Sequence, residues 1–229
     1  MHRKVEGKII HAAVKKYGNN KYKVMITVER EIKKKEKNSY ITGIDMGVSN
    51  FVTDSANNVN NSPKSLLNNY DKIGELQKKL VNRKKGSNNY IKLLNQINKL
   101  YDKSNNVRDD FLHKLSTSII SENQVIVIED LDVKSMFQTK KLAKVLGDVS
   151  ISKFINMLEY KARWYGRILI KVNRYYPSSQ LCNKCGYQNK EVKDYHIRNW
   201  ICPKCNCNHK RDYNAANNIL DKGLEMLFV

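Results

Sequence analysis

Three acidic residues, far apart along the chain, each occupy a local sequence that can aim a carboxylate at a metal ion. Asp45 lies in Gly43-Ile44-Asp45-Met46-Gly47, Glu129 ends Val125-Ile126-Val127-Ile128, and Asp212 lies in Arg211-Asp212-Tyr213-Asn214-Ala215-Ala216. Hard Mg²⁺ prefers oxygen ligands, and two such ions can run phosphodiester hydrolysis, one activating the attacking water and the other stabilising the leaving oxygen. That chemistry needs no side-chain general base, so His11, His113 and His196 read as ordinary residues. Taken singly, each acid also has a structural reading. Asp45 interrupts an apolar strand and must be compensated, by a bound cation or by a lysine from a neighbouring helix. Glu129 and its neighbour Asp130 end a second apolar strand, as loop acids often do, and Asp212 opens a helix, where an acidic cap is ordinary. Together they form a constellation that strand-end geometry can assemble into a metal site.

The second constellation is made of sulfur. Cys182-Asn183-Lys184-Cys185 and Cys202-Pro203-Lys204-Cys205 are two CxxC knuckles with sixteen residues between them. This spacing matches a Cys₄ zinc site, and four thiolates leave no open coordination position, so the zinc is expected to be structural. Gly186 and Asn206, one after each knuckle, suit the tight turns required. Cys207 could replace Cys205 as a ligand, and a redox CxxC is the weaker alternative; His209 is spare.

The elements that must position these groups follow from hydrophobic periodicity. Residues 1–36 read as a β-hairpin with Gly18 in its turn, too small to stand alone. A charged connector, Glu29 to Asn38, follows. Tyr40 to Asp54 reads as two short strands joined by Gly47-Val48-Ser49-Asn50, and residues 57–61 as an Asn-rich loop. Helical periodicity from about Lys64 to Ser121, broken at 83–89, predicts a long helical hairpin whose stripe of Leu76, Leu80, Leu93, Leu94, Ile97 and Leu100 is core. Gln124 to Leu131 reads as a strand buried on both faces, Ile151 to Tyr165 as an amphipathic helix, Arg167 to Asn173 as a strand, and Asp212 to Leu220 as a helix. Strands alternating with helices predict an α/β domain.

Composition narrows the partners. In 229 residues, 42 Lys and Arg against 22 Asp and Glu give a net charge of +20, which favours a polyanion, nucleic acid above an anionic membrane surface. Lys84 and Lys85 between the long helices, and Lys184, Arg198, Lys204 and Arg211 in or beside the cysteine region, are the candidate nucleic-acid contacts; Tyr187, Tyr195 and Trp200 nearby can stack bases, although Trp200 equally suits a miniature core. No apolar run of 18 residues and no signal-peptide h-region are present, so a cytoplasmic protein is expected. All five cysteines fall within residues 182–207, which in a reducing compartment argues for metal rather than disulfides.

These motifs, in this order, resemble the C-terminal nuclease part of the TnpB/OrfB family, insertion-sequence relatives of type V CRISPR effectors. Gly43-Ile44-Asp45-Met46-Gly47 is similar to the first RuvC motif, Ile128-Glu129-Asp130-Leu131 to the second, and Arg211-Asp212-Tyr213-Asn214-Ala215-Ala216-Asn217-Asn218-Ile219 to the third; Pro177-Ser178-Ser179-Gln180-Leu181-Cys182 is similar to the family's lead into its zinc ribbon. The resemblance implies an RNase H-like (RuvC) mixed sheet flanked by helices, with an inserted Cys₄ zinc ribbon. It divides the chain into a wedge β-remnant (1–36), a RuvC-like domain with the helical hairpin (37–177), the zinc ribbon (178–208) and a C-terminal RuvC-like segment (209–229). It implies Asp45, Glu129 and Asp212 as Mg²⁺ ligands of an endodeoxyribonuclease annexed to transposition, long described as a transposase. The implied partners are DNA and a guide RNA transcribed from the element's end, with sequence choice delegated to base pairing. Family members usually carry an N-terminal recognition lobe, so a truncated or split nuclease, partnered by a separate lobe, is expected, beside the alternative of a catalytically silent nucleic-acid-binding remnant or regulator. Lys210 stands where the family often has an acid.

Overall fold

The computed structural model describes residues 5–16, 22–133 and 148–227. The expected Gly18 turn lies outside the described residues. By the density of its internal contacts the chain forms two compact units, one from Met1–Lys34 with Ser65–Val107 and the other from Lys35–Lys64 with Arg108–Val229. In the first, strands β1 (Lys8–Lys16) and β2 (Tyr22–Glu29) pair antiparallel, with a register shift between Ile9 and His11. Apolar side chains of this ribbon, Ile9, Ile10, Val14 and Val24 among them, are exposed. A 3₁₀ turn (Leu67–Asn69) leads into α1 (Tyr70–Val81), and α2 (Asn88–Glu122) begins in this unit. Helix therefore starts later than Lys64. The Ser65 and Ser104 hydroxyls each donate to the other's carbonyl, at 2.8 and 2.9 Å, which satisfies both buried polar groups. Of the leucine and isoleucine stripe, only Ile97 is fully buried, together with Ile73; the leucines are half-buried.

The second unit is built on a mixed sheet. Its strands are β3 (Ile41–Met46), β4 (Val52–Asp54), β5 (Val59–Asn60), β6 (Val125–Glu129) and β7 (Ile168–Val172), in the order β5-β4-β3-β6-β7. The β5–β4 and β4–β3 pairs are antiparallel, whereas β3–β6 and β6–β7 are parallel. The Asn-rich stretch thus contributes a two-residue edge strand. Helices α3 (Ile151–Tyr165) and α4 (Arg211–Leu227) complete the layers, in keeping with the α/β class.

Strand alternation sends the two faces to different cores. Ile44, Met46, Ile126 and Ile128 join Leu112, Leu115, Phe154 and Leu158 on one face, where Phe51 meets the rings of Phe111 and Phe154 at 5.6 and 5.0 Å. Val125, Val127 and Val172 face the other way, toward Ile219 of α4. Fully burying each such side chain contributes roughly 1.5–3 kcal/mol, so the sheet carries helical cover on both sides and β6 reads as continuous apolar sequence up to Glu129. On the α2/α3 side a buried ammonium replaces apolar contact: Lys161 Nζ donates to His113 O, Ser116 Oγ and Thr117 Oγ1 at 2.7–2.8 Å. Burial lowers the Lys161 pKa, its hydrogen-bond partners here being a carbonyl and two hydroxyls.

Helix α4 packs unusually close to the sheet. A Cβ on Gly43 would fall 2.3 Å from Ala216 O and 2.7 Å from Leu220 Cβ, and one on Gly223 would fall 2.2 Å from Val127 Cγ1. Glycine on each surface lets strand and helix backbones touch.

Candidate metal and nucleic-acid site

The register of β3 and β6 brings two acids together. Ile44 lies opposite Ile128, so the next residues, Asp45 and Glu129, stand at the same level on neighbouring parallel strands and share the α4 face. Asp212, in the first turn of α4, reaches the same sheet edge because that helix lies against Gly43. All three carboxylates line one cavity of about 810 Å³, which also receives Ser178, Tyr195, His196, Arg198 and Arg211.

Their electrostatics record the crowding. Burial pushes the Asp45 carboxyl well above the usual carboxylate range, and the charges of Glu129 and Asp212 push it further, against the pull of Arg211 and Arg198. Burial also raises Glu129, although the Ser178 hydroxyl donates to its Oε1 and favours the ionised form. Asp212 is held from two sides: Asn50 Nδ2 donates to Oδ2 at 2.8 Å and Arg198 Nη1 to Oδ1 at 3.3 Å. The same guanidinium donates through Nη2 to Ser49 Oγ at 2.9 Å. Asp130 turns away and pairs with Arg174, whose hydrogen bond and charge lower its pKa.

The donor set suits hard divalent cations: it is all oxygen and anionic, with Arg198 paired to Asp212 and Arg211 in the same cavity wall. Among the described residues, the one group of three or more candidate ligands with all ligand atoms within 4.8 Å is the cysteine cluster, so the carboxylates are spread more widely.

The four cysteines Cys182, Cys185, Cys202 and Cys205 do converge. Cys182 Sγ is 3.6 Å from Cys205 Sγ, and Cys185 Sγ is 3.6 Å from Cys202 Sγ, close to the edge of roughly 3.8 Å that a tetrahedron with 2.3 Å Zn–S bonds requires. The two knuckles are near copies. Gly186 N donates to Cys182 O at 2.8 Å and Asn206 N to Cys202 O at 2.9 Å, and both turn residues adopt positive φ, +70° and +57°. Burial works to raise Cys202, but amide donors from Cys205 and Lys204 and the neighbouring thiols outweigh it and bring it down to about 7; burial pushes Cys182 up to about 12.

Sequence reasoning set His209 aside, yet its Nε2 lies 3.1 Å from Cys182 Sγ, and its ring sits 4.7 Å from Trp200. The pairing of Trp200 with His209 across β8 (Asn199–Ile201) and β9 (Asn208–Lys210) explains both. Trp200 belongs to a small core with Val192, Cys182 and Cys202. Cys207 stands outside the ligand group.

Asparagines of α4 tie this segment to the carboxylates. Asn214 Nδ2 donates to Leu181 O at 2.6 Å and its Oδ1 accepts from Asn183 N at 3.0 Å; Asn218 Nδ2 donates to Ser178 O and Leu181 O, each at 2.7 Å. These contacts, and the roles of Ser178 and Asn50, were missed in the sequence, where Arg198 reads only as a nucleic-acid contact. The i, i+4 spacing of Asn214 and Asn218 on one helix face was the available signal. Of the candidate nucleic-acid contacts, Lys84, Lys85, Lys184 and Lys204 are exposed, whereas Arg198 and Arg211 border the acidic cavity and are engaged there, Arg211 Nη1 donating to Asp194 O at 2.9 Å.

Comparison with known proteins bears on the same elements. The family model OrfB_IS605, described as a probable transposase, matches residues 23–140, and a Cas12f1-like TNB domain model matches 152–219. A putative RNA-guided DNA endonuclease of Streptomyces pristinaespiralis is 38% identical over 182 residues, covering 80% of this chain and 45% of the relative. Another of that description, from Escherichia coli K12, is 29% identical, covering 90% of this chain and 55% of the relative. The chain spans about half the length of these curated relatives. Two cryo-EM structures share the fold: a Cas12f1 with guide RNA and target DNA (TM-score 0.55, 21% identity, 91% of this chain and 55% of that one), and a CRISPR-Cas12f ternary complex (TM-score 0.56, 24% identity, 87% and 41%).

Proposed function

The chain belongs to the OrfB_IS605 family of probable transposases, and on that premise we propose that it is the metal-dependent nuclease part of a TnpB-type, RNA-guided DNA endonuclease. The observation that carries this reading is the convergence of Asp45, Glu129 and Asp212, from two strands and a helix, on one cavity. The mixed sheet with β3 at its centre supports an RNase H-like (RuvC) arrangement, and the paired knuckles support a structural Zn²⁺ held by Cys182, Cys185, Cys202 and Cys205. Mg²⁺ held by the three carboxylates would supply a nucleophilic water at neutral pH and stabilise the leaving oxygen.

The protein's own groups have separate tasks. Asp45 and Glu129, uncomfortable as neighbouring anions, lose that repulsion when cations neutralise them, so ion binding and carboxylate ionisation are coupled. Ser178 fixes the rotamer of Glu129, and Asn50 orients Asp212. Arg198 and Arg211 bring positive charge to the cavity wall, where a phosphate can exchange places with Asp212 as the partner of Arg198. The wider partners are DNA and a guide RNA, with sequence choice made by base pairing, a reading supported by relatives that are RNA-guided DNA endonucleases by description and by the guide RNA and target DNA bound to the related Cas12f1.

A second reading, a nucleic-acid-binding protein that does not cut, draws on the Arg198–Asp212 ion pair, which occupies one of the three carboxylates. Cleavage of end-labelled single-stranded DNA in Mg²⁺ or Mn²⁺, by wild type and by Asp45→Ala and Glu129→Ala, separates the two. Cleavage by wild type alone supports the nuclease; equal silence of all three chains favours the binder.

A further inference from the structure

Four thiolates around one Zn²⁺ leave a net charge of about −2 on the cluster, and here the charge falls in a small core where Cys182 and Cys202 are buried. Buried charge of that kind needs hydrogen-bond donors. Backbone amides supply them in the same way at both knuckles: the N–H groups of Lys184 and Cys185 donate to Cys182, and those of Lys204 and Cys205 donate to Cys202. One side chain breaks this repeat. His209 Nε2 lies 3.1 Å from Cys182 Sγ, and among the described residues no ring nitrogen stands beside Cys202.

His209 is not a fifth ligand, because the group whose ligand atoms lie within 4.8 Å of one another holds the four cysteines without it. Its ring is nevertheless fixed in place. His209 is buried, sits opposite Trp200 in the β8–β9 pair, and packs on that indole with the ring centroids 4.7 Å apart. The imidazole cannot turn away from Cys182 without opening this contact. A thiolate only accepts hydrogen bonds, so the nitrogen that faces it must carry the proton. The attachment reaches further than the knuckle: β9 runs directly into α4, and Asn183, next to Cys182, donates its backbone N–H to Asn214 Oδ1 at 3.0 Å. Cys182 is therefore the cysteine approached from both β9 and α4.

We propose that His209 is a positioning residue for zinc, its Nε2–H donating to the Cys182 thiolate. The hydrogen bond fixes the direction of that ligand and withdraws part of the charge that four thiolates place on one ion. The proposal rests on the reading of the four cysteines as a zinc site, and it adds to that site a fifth side chain which binds the sulfur and not the metal.

Two substitutions separate a hydrogen bond from packing. His209→Phe keeps an aromatic ring against Trp200 but has no N–H, whereas His209→Gln gives up the ring and keeps an amide donor. Zinc affinity of the full 229-residue chain, measured by competition with the chromophoric chelator 4-(2-pyridylazo)resorcinol, should fall about 10- to 100-fold in His209→Phe, the usual effect of removing a metal ligand's own partner. His209→Gln should recover most of that loss. Packing alone predicts the opposite order. In the Co²⁺-substituted chain, the thiolate-to-cobalt charge-transfer band should move to longer wavelength in His209→Phe, since a sulfur without its donor holds its electrons less tightly, while the d–d bands stay those of four thiolates. Wild-type affinity in His209→Phe, or weaker binding by His209→Gln than by His209→Phe, overturns the proposal; so do d–d bands altered in both variants, which would make His209 a ligand. Should His209→Phe not fold, His209→Gln decides: near-wild-type affinity upholds the donor and a loss of tenfold or more overturns it. The two readings fail distinguishably. A wild-type chain that binds one zinc no more tightly than His209→Phe sinks the hydrogen bond alone, and a wild-type chain that binds none sinks both.

Discussion

Substituting Gly43 by alanine tests whether the close contact between α4 and the sheet sets the carboxylate geometry. The added Cβ would lie 2.3 Å from Ala216 O and 2.7 Å from the Leu220 backbone nitrogen. Ordinary contact needs about 3.5 Å, so strand and helix must separate by about 1 Å, and both obstacles include backbone that cannot rotate away. Overpacking of this kind costs about 1–3 kcal/mol. The same displacement carries Asp212 away from Asp45 and Glu129, and a misplacement of about 1 Å can cost about 10²-fold in rate. Gly223→Ala strikes the Val127 methyls at 2.2 and 2.6 Å instead, so Val127→Ala should partly relieve it, as a favourable coupling in a double-mutant cycle. Gly74→Ala, with nothing within 4 Å of the new Cβ, should stabilise α1 by about 1 kcal/mol. Urea unfolding and Mn²⁺ affinity by electron paramagnetic resonance read the three variants. Gly43→Ala with wild-type stability and Mn²⁺ affinity would refute the reasoning.

Other perturbations address the remaining parts. Asn218→Ala removes the donor to the Ser178 carbonyl, while Leu181 O keeps Asn214 Nδ2, and should cost about 1–3 kcal/mol, with faster hydrogen exchange in residues 178–182. The raised Asp45 and Glu129 carboxyls fix the sign of a pH effect. The folded chain keeps protons that the unfolded chain has released, so stability in divalent-free buffer should fall as pH rises from the ordinary carboxylate range, about 4, through the folded values. Asp45→Asn, which cannot ionise, should flatten that slope in urea midpoints measured across this range. Metal analysis by mass spectrometry should find zinc retained in Cys207→Ser and lost in Cys182→Ser, and removing zinc should loosen residues 178–208 before the main sheet melts.

The acids were legible because charge inside apolar strands is conspicuous: Asp45 breaks a run that otherwise reads as core, and Glu129 ends one. The cysteine pairs were legible from spacing alone. What escaped were contacts made by polar residues with no periodicity to betray them. Ser178 and Arg198 lie outside the mixed sheet and its helices, and Asn50 lies in a turn, and only the fold brings them to Glu129 and Asp212. His209 escaped because its proximity to Cys182 arises from pairing across two three-residue strands. The edge strand Val59–Asn60 is too short to carry an alternation signal. The leucine stripe from Leu76 to Leu100 was correctly helical, but periodicity reports a face, not how fully that face is covered.

The central claim is that Asp45, Glu129 and Asp212 jointly hold divalent ions. Counting Mn²⁺ by electron paramagnetic resonance tests it directly, on zinc-loaded wild type and on Asp45→Ala of equal foldedness. Two bound Mn²⁺ per wild-type chain, with occupancy lost in the variant while zinc content is unchanged, is the predicted result. Equal Mn²⁺ binding by both chains would contradict it.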